Sequence, residues 1–447
     1  MDNQLNTLLY SVMRYQEYSD YLTGLPNRRY LELYMETAIE SNMNIAVVSM
    51  DINQFKAIND VRGHSVGDDL IKEVAERLVR VLGKDVLIVR PGGDEFFVVL
   101  EDWINTEYVK ERITYIIDSF LKPFKLKGEL YYLTMSIGIS VYNEHSDNIE
   151  KLISYAELAM YESKKSGTGF EFFQEQMRIY TEEEFLIESE LRHAIENDNI
   201  ILNFQPKYSL LTGYISGVEG LARIKNSNTS PAIFIPIAEK TGLIHQLGDI
   251  VLNKACKEVK KWNDLSPYPL RVAINFSARQ FQKPGITQHI LTTLQIHNIP
   301  PSWLEIEVTE SLLLSNDAVV ELTNLKQLGI HISVDDFGTG YSSLSYIKGL
   351  PIQTLKIDKS FINNIKVDGS NAEITSVILK LADKLGLNVV AEGVEKKHQL
   401  AYLKENKCQE VQGYYLKKPL NSREFINLLN NKKMLIDIED MDKFHVG

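Results

Sequence analysis

The sequence has few of the features that mark secreted or membrane-spanning proteins. Its 447 residues include only two cysteines, Cys256 and Cys408, which lack the spacing of a metal-binding pair and read as reduced thiols in or near a core. No apolar run approaches the roughly 18 to 20 residues that span a bilayer. Residues 1–4 lack the basic and then apolar pattern of a signal peptide. We therefore expect no disulfide framework, no membrane span and a cytoplasmic location.

The chain also lacks an excess of basic charge, since 60 acidic residues outnumber 48 basic ones and the formal net charge is −12. This acidic balance argues against DNA, RNA or an anionic membrane as a partner, because each of these is usually bound by a basic face. It does not exclude a nucleotide substrate, because a bound divalent cation and a few lysines can create a positive site within an acidic protein.

Changes of pattern along the chain predict two main domains. An α/β barrel takes roughly 250 residues as one unit, so the length favours two large domains over three. We predict an N-terminal helix at 1–19, an α+β domain at 20–173, a linking helix at 174–196, a barrel at 197–431 and a tail at 432–447. Within the first domain we predict helices at 27–40, 70–82, 108–120 and 149–163, and strands at 45–50, 86–89, 96–100 and 130–141.

Short apolar runs recur from about residue 200 onward, and most of them stop at a residue that can bind a metal ion or a substrate. Helix-length segments separate the runs, which predicts an α/β TIM-like (β/α)₈ barrel with its active site at the carboxyl ends of the strands. Oxygen ligands favour Mg²⁺ or Mn²⁺ over zinc. The residues at these ends are Glu219, Asn275, Glu307, Asp335, Asp336, Lys356, Glu392 and Gln412.

A second candidate site lies in the first domain, where Gly92-Gly93-Asp94-Glu95-Phe96 separates two predicted strands. Two glycines permit a tight turn and a close approach of a ligand, although a solvated hairpin tip has the same composition. Asp51 follows the predicted strand at 45–50. An acid at a strand end beside an acidic hairpin is the palm-like arrangement of nucleotidyl-transfer enzymes, in which two carboxylates hold metal ions.

Together these segments resemble the GGDEF diguanylate cyclase family over about residues 20–173. The resemblance is carried by segments 20–28, 51–68, 92–96, 134–139 and 156–161. It implies an α+β nucleotidyl-cyclase domain that binds GTP and, as a homodimer, joins two GTP molecules into cyclic di-GMP. It also implies metal binding by Asp51, the Ile52 carbonyl and Asp94, hydroxyl activation by Asp94 and Glu95, guanine recognition by Asn59 and Asp68, and phosphate binding by Lys164.

The sequence departs from this family at several accessory positions. Gly83 and Val86 stand where many members have the arginine and aspartate of an inhibitory product site, and Thr168 replaces a basic residue that often follows the phosphate lysine. Glu157 and Ser163 replace an aspartate and an alanine. Three readings of the domain stay open: an active cyclase, a GTP-binding regulatory domain and a scaffold.

The second domain resembles the EAL phosphodiesterase family over about residues 180–430. The resemblance is carried by segments 204–206, 219–223, 234–239, 307–310, 335–340, 355–358, 391–395 and 412–414. It implies hydrolysis of cyclic di-GMP to the linear dinucleotide pGpG with two Mg²⁺ or Mn²⁺ ions. The implied roles are metal binding by Glu219, Asn275, Glu307, Asp335 and Asp336, catalysis by Lys356 and Glu392, substrate contacts by Gln205, Leu221, Arg223 and Gln412, and bracing of the loop at 336–343 by Glu310.

One departure falls in the namesake motif, where Gly220 replaces alanine. That position carries no ligand atom, so we expect activity to survive. We predict net hydrolysis of cyclic di-GMP, with net synthesis as the alternative and a non-catalytic cyclic di-GMP receptor as the second alternative. The two families imply bacterial signalling that controls motility and surface attachment in biofilms.

Overall fold

The computed structural model describes residues 17–41, 43–101, 105–338, 347, 349–367 and 370–430. The chain divides into two compact units, Met1–Glu183 and Glu184–Gly447, which are described separately below. The predicted helix at 1–19, apart from its last three residues, and the predicted tail at 432–447 lie outside the described residues. Among the residues that are described, no helix combines the length and the apolar character needed to cross a bilayer.

The first unit alternates helices with short strands. Its elements are α1 (Arg28–Glu40), β1 (Ile45–Ile52), α2 (Phe55–Arg62), α3 (His64–Leu82), β2 (Leu87–Gly92), β3 (Glu95–Glu101), α4 (Thr106–Phe120), β4 (Phe124–Leu126), β5 (Glu129–Tyr131), β6 (Met135–Val141), α5 (Ile149–Ser166) and β7 (Phe170–Phe172). Helix α6 (Glu175–Glu196) contains the division between the two units.

A mixed five-stranded sheet with the order β2-β3-β1-β6-β7 forms the centre of the first unit. Strand β1 is buried at every position, which explains the continuous apolar run that begins at Ile45. One apolar cluster packs the sheet against α3 and α4, and a second packs its other face against α1 and α5. Antiparallel pairing of β1 with β3 places Asp51 opposite Glu95.

Two expectations for this unit differ from the structure. The single strand predicted at 130–141 is wrong, because Glu129–Tyr131 pairs with Phe124–Leu126 in a separate ribbon and β6 begins only at Met135. Alternating apolar residues continue through the break at residues 132–134, so the sequence does not show that the strands on either side of it pair with different partners. The helix Phe55–Arg62 was not predicted, since it is short and Phe55 is its only buried residue.

The second unit begins with a strand pair and continues as strand–helix repeats. Its strands are β8 (Ile200–Ser209), β9 (Ile215–Ile224), β10 (Arg271–Asn275), β11 (Leu304–Thr309), β12 (His331–Phe337), β13 (Thr354–Ile357), β14 (Asn388–Ala391) and β15 (Glu410–Val411). Its helices after α6 are α7 (Pro231–Thr241), α8 (Ile244–Asn263), α9 (Ala278–Phe281), α10 (Ile286–His297), α11 (Asn316–Gln327), α12 (Lys359–Asn363), α13 (Glu373–Leu385), α14 (Lys397–Glu405) and α15 (Ser422–Asn430), with 3₁₀ turns at Pro301–Trp303 and Glu310–Leu314.

These strands close into a barrel with the order β10-β11-β12-β13-β14-β15-β8-β9, which confirms the predicted TIM-like fold. Strands β9 to β15 run parallel, whereas β8 runs antiparallel to both β9 and β15. The reversal follows from the short connection at 210–214, because a parallel pair needs a crossover of about a dozen residues. Gln205 therefore reaches the barrel interior from within a reversed strand and not from a carboxyl end.

Apolar packing between the barrel and its outer helices forms the core of the second unit. Helix α8 shows the sequence basis, because its buried residues recur at helical spacing, among them Leu247, Val251 and Trp262. Trp262 meets Phe204 of β8 and Phe425 of α15 edge to face, with ring centroids 4.7 and 4.8 Å away. These contacts fix β8, and with it Gln205, against the outer layer.

Candidate active site

The polar residues that the sequence places at the carboxyl ends of strands lie together at one end of the barrel. Parallel register places Asn275 beside Glu307, and Glu392 and Gln412 come directly after β14 and β15. Glu219 differs from the expectation of a strand end, because it lies in the middle of β9, which continues for five residues beyond it as the partner of β8.

Carboxylates at this end form two overlapping groups that fit a metal ion. The first consists of Glu219, Glu307 and Asp335, and the second of Asp335, Asp336 and Glu392. Within each group the ligand atoms lie within 4.8 Å of one another. The shared Asp335 is the arrangement expected for a carboxylate that bridges two cations. Because all donors in both groups are carboxylate oxygens, Mg²⁺ or Mn²⁺ suits them better than zinc.

The Glu219 carboxylate is held on both oxygens by amides. Asn275 Nδ2 donates to Oε1 at 2.9 Å, and Gln412 Nε2 donates to Oε2 at 2.6 Å and to Gln205 Oε1 at 3.1 Å. The structure thus brings together four residues that lie far apart in the sequence. Gln412 Oε1 is buried and has no hydrogen-bond partner among the described residues, so it is available to accept from a water or a ligand.

Lys356 stands at the centre of the carboxylates and is fully buried. Its Nζ lies 2.7 Å from Glu392, 2.8 Å from Glu307 and 3.0 Å from Asp335. Burial lowers the pKa of Lys356, but the surrounding carboxylates, Asp335 and Glu219 foremost, outweigh burial and hold this pKa well above its ordinary value. The ammonium is therefore a fixed positive charge within the cluster, with N–H groups that can orient a water.

Asp336 adds an acid whose backbone conformation is unusual. Its φ is 52°, in the left-handed region that non-glycine residues seldom adopt. Burial, and then the negative charges of Asp335 and Asp358, raise the pKa of Asp336 to about 6. A cation bound beside Asp336 would favour the ionised carboxylate, because its positive charge would offset these negative neighbours.

A cavity of about 470 Å³ opens beside the carboxylates. The predicted substrate residues Leu221 and Arg223 line it, together with Asn275, Glu307 and Asp336. Much of the remaining wall is apolar and comes from α7 and α8. The cavity therefore combines a mostly apolar wall with a few polar and acidic groups at one end, which is the usual composition of a small-molecule binding site.

Glu310 contacts the start of the loop that it was predicted to brace. Its Oε2 accepts a hydrogen bond of 3.0 Å from the Gly338 backbone N–H. Gly338 has a φ of 97°, and a Cβ there would lie 3.0 Å from the Phe361 ring, so a side chain would be strained on both counts. Residues 339–346 lie outside the described part of the chain, so bracing of the whole loop stays a prediction.

The hairpin of the first unit brings its three predicted acids together. Asp94 occupies the turn between β2 and β3, its carbonyl accepts a hydrogen bond from the Ile52 N–H, and Asp51 lies opposite Glu95. Gly93 has a φ of 57°, which is why glycine suits the first position of this turn. Burial, and then the Asp51 carboxylate, raise the pKa of Asp94.

Lys164 reaches this hairpin from α5. Its Nζ lies 2.5 Å from Asp51 Oδ1, so a predicted phosphate ligand contacts a predicted metal ligand directly. The lysine side chain is 44% exposed, so solvent weakens this pair. Thr168, at the position of the family's second basic residue, contacts Ser166 through its hydroxyl.

The two predicted guanine contacts lie near each other at the corner between α2 and α3. Asn59 is in α2, and Asp68 follows Gly67 in α3. A Cβ on Gly67 would stand 2.0 Å from Asn59 Oδ1, so the two helices approach closely only because this residue is glycine. Asn59 Oδ1 is buried without a hydrogen-bond partner among the described residues, and it can accept from a ligand.

Two buried basic residues at these sites were not predicted from the sequence. Lys207 of β8 lies 2.6 Å from Glu307 Oε1. Arg90 of β2 donates to the Gly93 carbonyl at 2.6 Å and to Asp20 at 2.7 Å, behind the hairpin turn. A signal for Lys207 existed, because alternation along a strand turns positions 205 and 207 to the same face. No comparable pattern marks Arg90.

Comparison with sequence families supports both resemblances. The model of the EAL domain family matches residues 188–419, which is more than half of the chain. The model described as the GGDEF domain of diguanylate cyclases matches residues 17–169. Both resemblances stated above are thereby confirmed.

Individual relatives match the chain across both of these regions. The signaling protein YkoW of Bacillus subtilis is 39% identical over 420 residues, which cover 91% of this chain and 52% of the relative. The bifunctional diguanylate cyclase/cyclic di-GMP phosphodiesterase MucR of Pseudomonas aeruginosa is 37% identical over 419 residues, which cover 91% of this chain and 61% of the relative. The chain thus spans between half and two thirds of the length of these relatives.

A solved structure also matches the barrel. The PaMucR phosphodiesterase in complex with c-di-GMP aligns with a TM-score of 0.52 and 40% sequence identity. The alignment covers 54% of this chain and 99% of the matched chain.

Proposed function

We propose, from the premise that this chain belongs to the family of tandem GGDEF–EAL proteins, that its barrel hydrolyses cyclic di-GMP to linear pGpG. The observation that carries the proposal is the pair of carboxylate groups that share Asp335, each with its ligand atoms within 4.8 Å. MucR, whose name includes cyclic di-GMP phosphodiesterase, and the PaMucR complex with c-di-GMP support this substrate. Two divalent cations, Mg²⁺ or Mn²⁺, are the proposed cofactors.

In the proposed reaction a water oxygen bonds to phosphorus, the bond from phosphorus to one 3′-oxygen breaks, and a proton passes to that oxygen. Cations at the two carboxylate groups would polarise the phosphodiester and lower the pKa of the attacking water. Glu219, Asn275, Glu307, Asp335 and Asp336 would hold them.

The remaining residues of the site orient the reactants. Lys356 has N–H groups beside Glu392 and can direct a water toward phosphorus. Gln412 presents a free carbonyl oxygen near Gln205. Arg223, which lines the cavity, is placed to contact the dinucleotide.

The test is to incubate the full chain with cyclic di-GMP and either Mg²⁺ or Mn²⁺, and to measure pGpG by chromatography. We expect linear product from the unaltered protein and none from Glu219→Ala, because that variant loses a ligand held by two amides. Tight binding of cyclic di-GMP without product, in both metals, would instead favour the receptor function.

For the first unit we propose GTP binding at the hairpin, with a cation held by Asp51, the Ile52 carbonyl and Asp94. The proximity of Asp51, Asp94 and Glu95 supports this proposal. Cyclisation would further require a homodimer, because two such domains must face each other across two GTP molecules. Equilibrium dialysis against GTP and sedimentation of the full chain test the two parts separately.

GTP bound in the first unit is also proposed to regulate the barrel through the linking helix. The motivating feature is helix α6, which is continuous from Glu175 to Glu196 and contains the division between the units. Hydrolysis of cyclic di-GMP should then change in kcat or KM when GTP is added. Unchanged constants at saturating GTP would remove this role. A cytoplasmic location, where GTP is available, stays a prediction for cell fractionation to test.

A further inference from the structure

Beneath the proposed cation site, the barrel contains a chain of charged and polar side chains, of which Lys207, Glu305 and Glu307 are buried. Lys207 of β8 is 1% exposed and lies 3.0 Å from Glu305 Oε1 and 2.6 Å from Glu307 Oε1. Further from the site, Arg271 lies 3.9 Å from Glu305 and contacts His331 at 2.7 Å. The roles assigned above use Glu307 but leave Lys207 without one.

The two oxygens of Glu307 contact two different lysines. Oε1 is held by Lys207 and Oε2 lies 2.8 Å from Lys356, which also contacts Asp335. Reversal of β8 accounts for this geometry, because it pairs Gln205 with Glu219 and leaves Lys207 two residues further along, opposite Gly217. A Cβ at Gly217 would lie 3.9 Å from Lys207 Cδ, an ordinary contact distance, so the lysine stem packs over this position without crowding.

We propose that Lys207 is a positioning residue that holds Glu307 Oε1 away from the carboxylate cluster, so that only Oε2, on the side of Lys356 and Asp335, faces a cation. The inference rests on the proposed cation site and adds a determinant of cation preference. Mg²⁺ requires compact octahedral coordination, whereas the larger Ca²⁺ readily accepts both oxygens of one carboxylate. A glutamate held on one oxygen therefore favours Mg²⁺ and Mn²⁺ over Ca²⁺.

A simpler role for Lys207 is to neutralise the buried Glu305, and the experiment must separate the two roles. Among the described residues, Lys207→Met alone leaves Glu305 with the more distant Arg271 as its remaining ion-pair partner, and this change can unfold the barrel. The double variant Lys207→Met/Glu305→Gln removes both charges together and so avoids an unpaired buried carboxylate. Glu305→Gln alone keeps the contact from Lys207 to Glu307 and is the matched control.

The test titrates Mn²⁺ and Ca²⁺ into the metal-free full chain by calorimetry, with thermal melts to verify folding. We expect Lys207→Met and the double variant to lose about 10- to 100-fold in Mn²⁺ affinity, as is typical when a residue that orients a metal ligand is removed. Ca²⁺ affinity should fall less, so the ratio of the two affinities shrinks in both variants. Glu305→Gln should keep the unaltered ratio.

Recovery of the unaltered ratio in the double variant would overturn the inference, because Lys207 would then only neutralise Glu305. An unchanged ratio in a folded Lys207→Met protein would overturn it as well. Both results leave the cation site itself in place. Failure of the unaltered protein to bind either cation would instead refute the proposed site and, with it, this role for Lys207.

Discussion

The barrel site and the hairpin site both place carboxylates where cations are proposed to bind, but they differ in how firmly those carboxylates are held. In the barrel, Glu219 accepts from two amides and Glu307 from two lysines, and both residues are buried. At the hairpin, Asp51 contacts one half-exposed lysine, and Asp94 lies in a two-residue turn. Among the described residues, groups of three or more potential metal ligands occur only in the barrel.

This difference shows why one site is proposed to act alone and the other is not. A preorganised site loses little free energy to rearrangement when it binds its ions and substrate. The barrel satisfies this condition within one chain. The hairpin has fewer fixed ligands, and Thr168 supplies no charge for phosphate, so the cyclase activity proposed for it would depend more on GTP and on a second copy. The predictions below test this contrast, beginning with the largest expected effect.

Replacing Lys356 with methionine should have the largest effect on hydrolysis. The variant removes the ammonium that contacts Glu307, Asp335 and Glu392 and that is proposed to orient the attacking water. We expect kcat to fall about 10²- to 10⁴-fold, the range that positioned proton-handling groups contribute. Lys257→Met on the exposed side of α8 is the control and should keep full activity. A Lys356→Met protein with more than a tenth of the original rate would contradict the proposed role.

The hairpin should show its own activity only when the barrel is silent. In a Glu392→Ala background we expect cyclic di-GMP to accumulate from GTP, measured by chromatography. Adding Asp94→Ala should lower this synthesis at least about 100-fold, because Asp94 is assigned both to the cation and to hydroxyl activation. If the Glu392→Ala protein makes no product at all, the hairpin is left as a GTP-binding or scaffold domain.

The gathering of the barrel site could be predicted from the sequence because parallel strands bring their carboxyl ends to one face. Asn275, Glu307 and Asp335 each follow or end an apolar run. The barrel topology then places these three strand ends at the same face. The assignment of chemistry to these residues came from the family resemblance and not from the pattern.

Features that depend on strand direction and on distant partners could not be predicted in the same way. Apolar periodicity gives the faces of β8 but not its reversal, which arises from a short connection to β9. Strand alternation places Lys207 on the same face as Gln205, but its partners Glu305 and Glu307 lie on a distant strand and leave no local signal. The break before Met135 also leaves no signal in the sequence, because residues 132–134 continue the apolar pattern of a strand while the pairing partner changes.

A smaller effect should follow from restoring the missing basic residue at the hairpin. Thr168 lies two residues after Ser166, at the end of the helix that carries Lys164. Thr168→Arg adds a donor for phosphate, and a charged hydrogen bond contributes about 1.5 to 3 kcal/mol, so GTP affinity should rise roughly tenfold or more. Thr168→Gln, which adds length without charge, is the control. Equal GTP affinity in the two variants, measured by dialysis, would show that a basic residue at this position does not strengthen GTP binding.

The smallest effect concerns the glycine that replaces alanine beside Glu219. A Cβ on Gly220 would meet its nearest neighbours, Ala273 O and Ile274 Cγ2, at 3.5 Å, which is ordinary contact distance. Gly220→Ala should therefore stabilise the barrel by about 0.5 to 1 kcal/mol through reduced freedom of the unfolded chain, and raise its melting temperature by a few degrees. Hydrolysis should be unchanged, because the position carries no ligand atom.

Gly413 is the matched control for this glycine-to-alanine substitution, because it has no room for a side chain. A Cβ there would stand 2.2 Å from the backbone oxygen of Val394, so the chain would have to shift directly beside Gln412. Gly413→Ala should lower the melting temperature and also reduce hydrolysis, since Gln412 is one of the two amides that hold Glu219. Stabilisation by both alanines, or by neither, would mean that local clearance does not set the tolerance of this face.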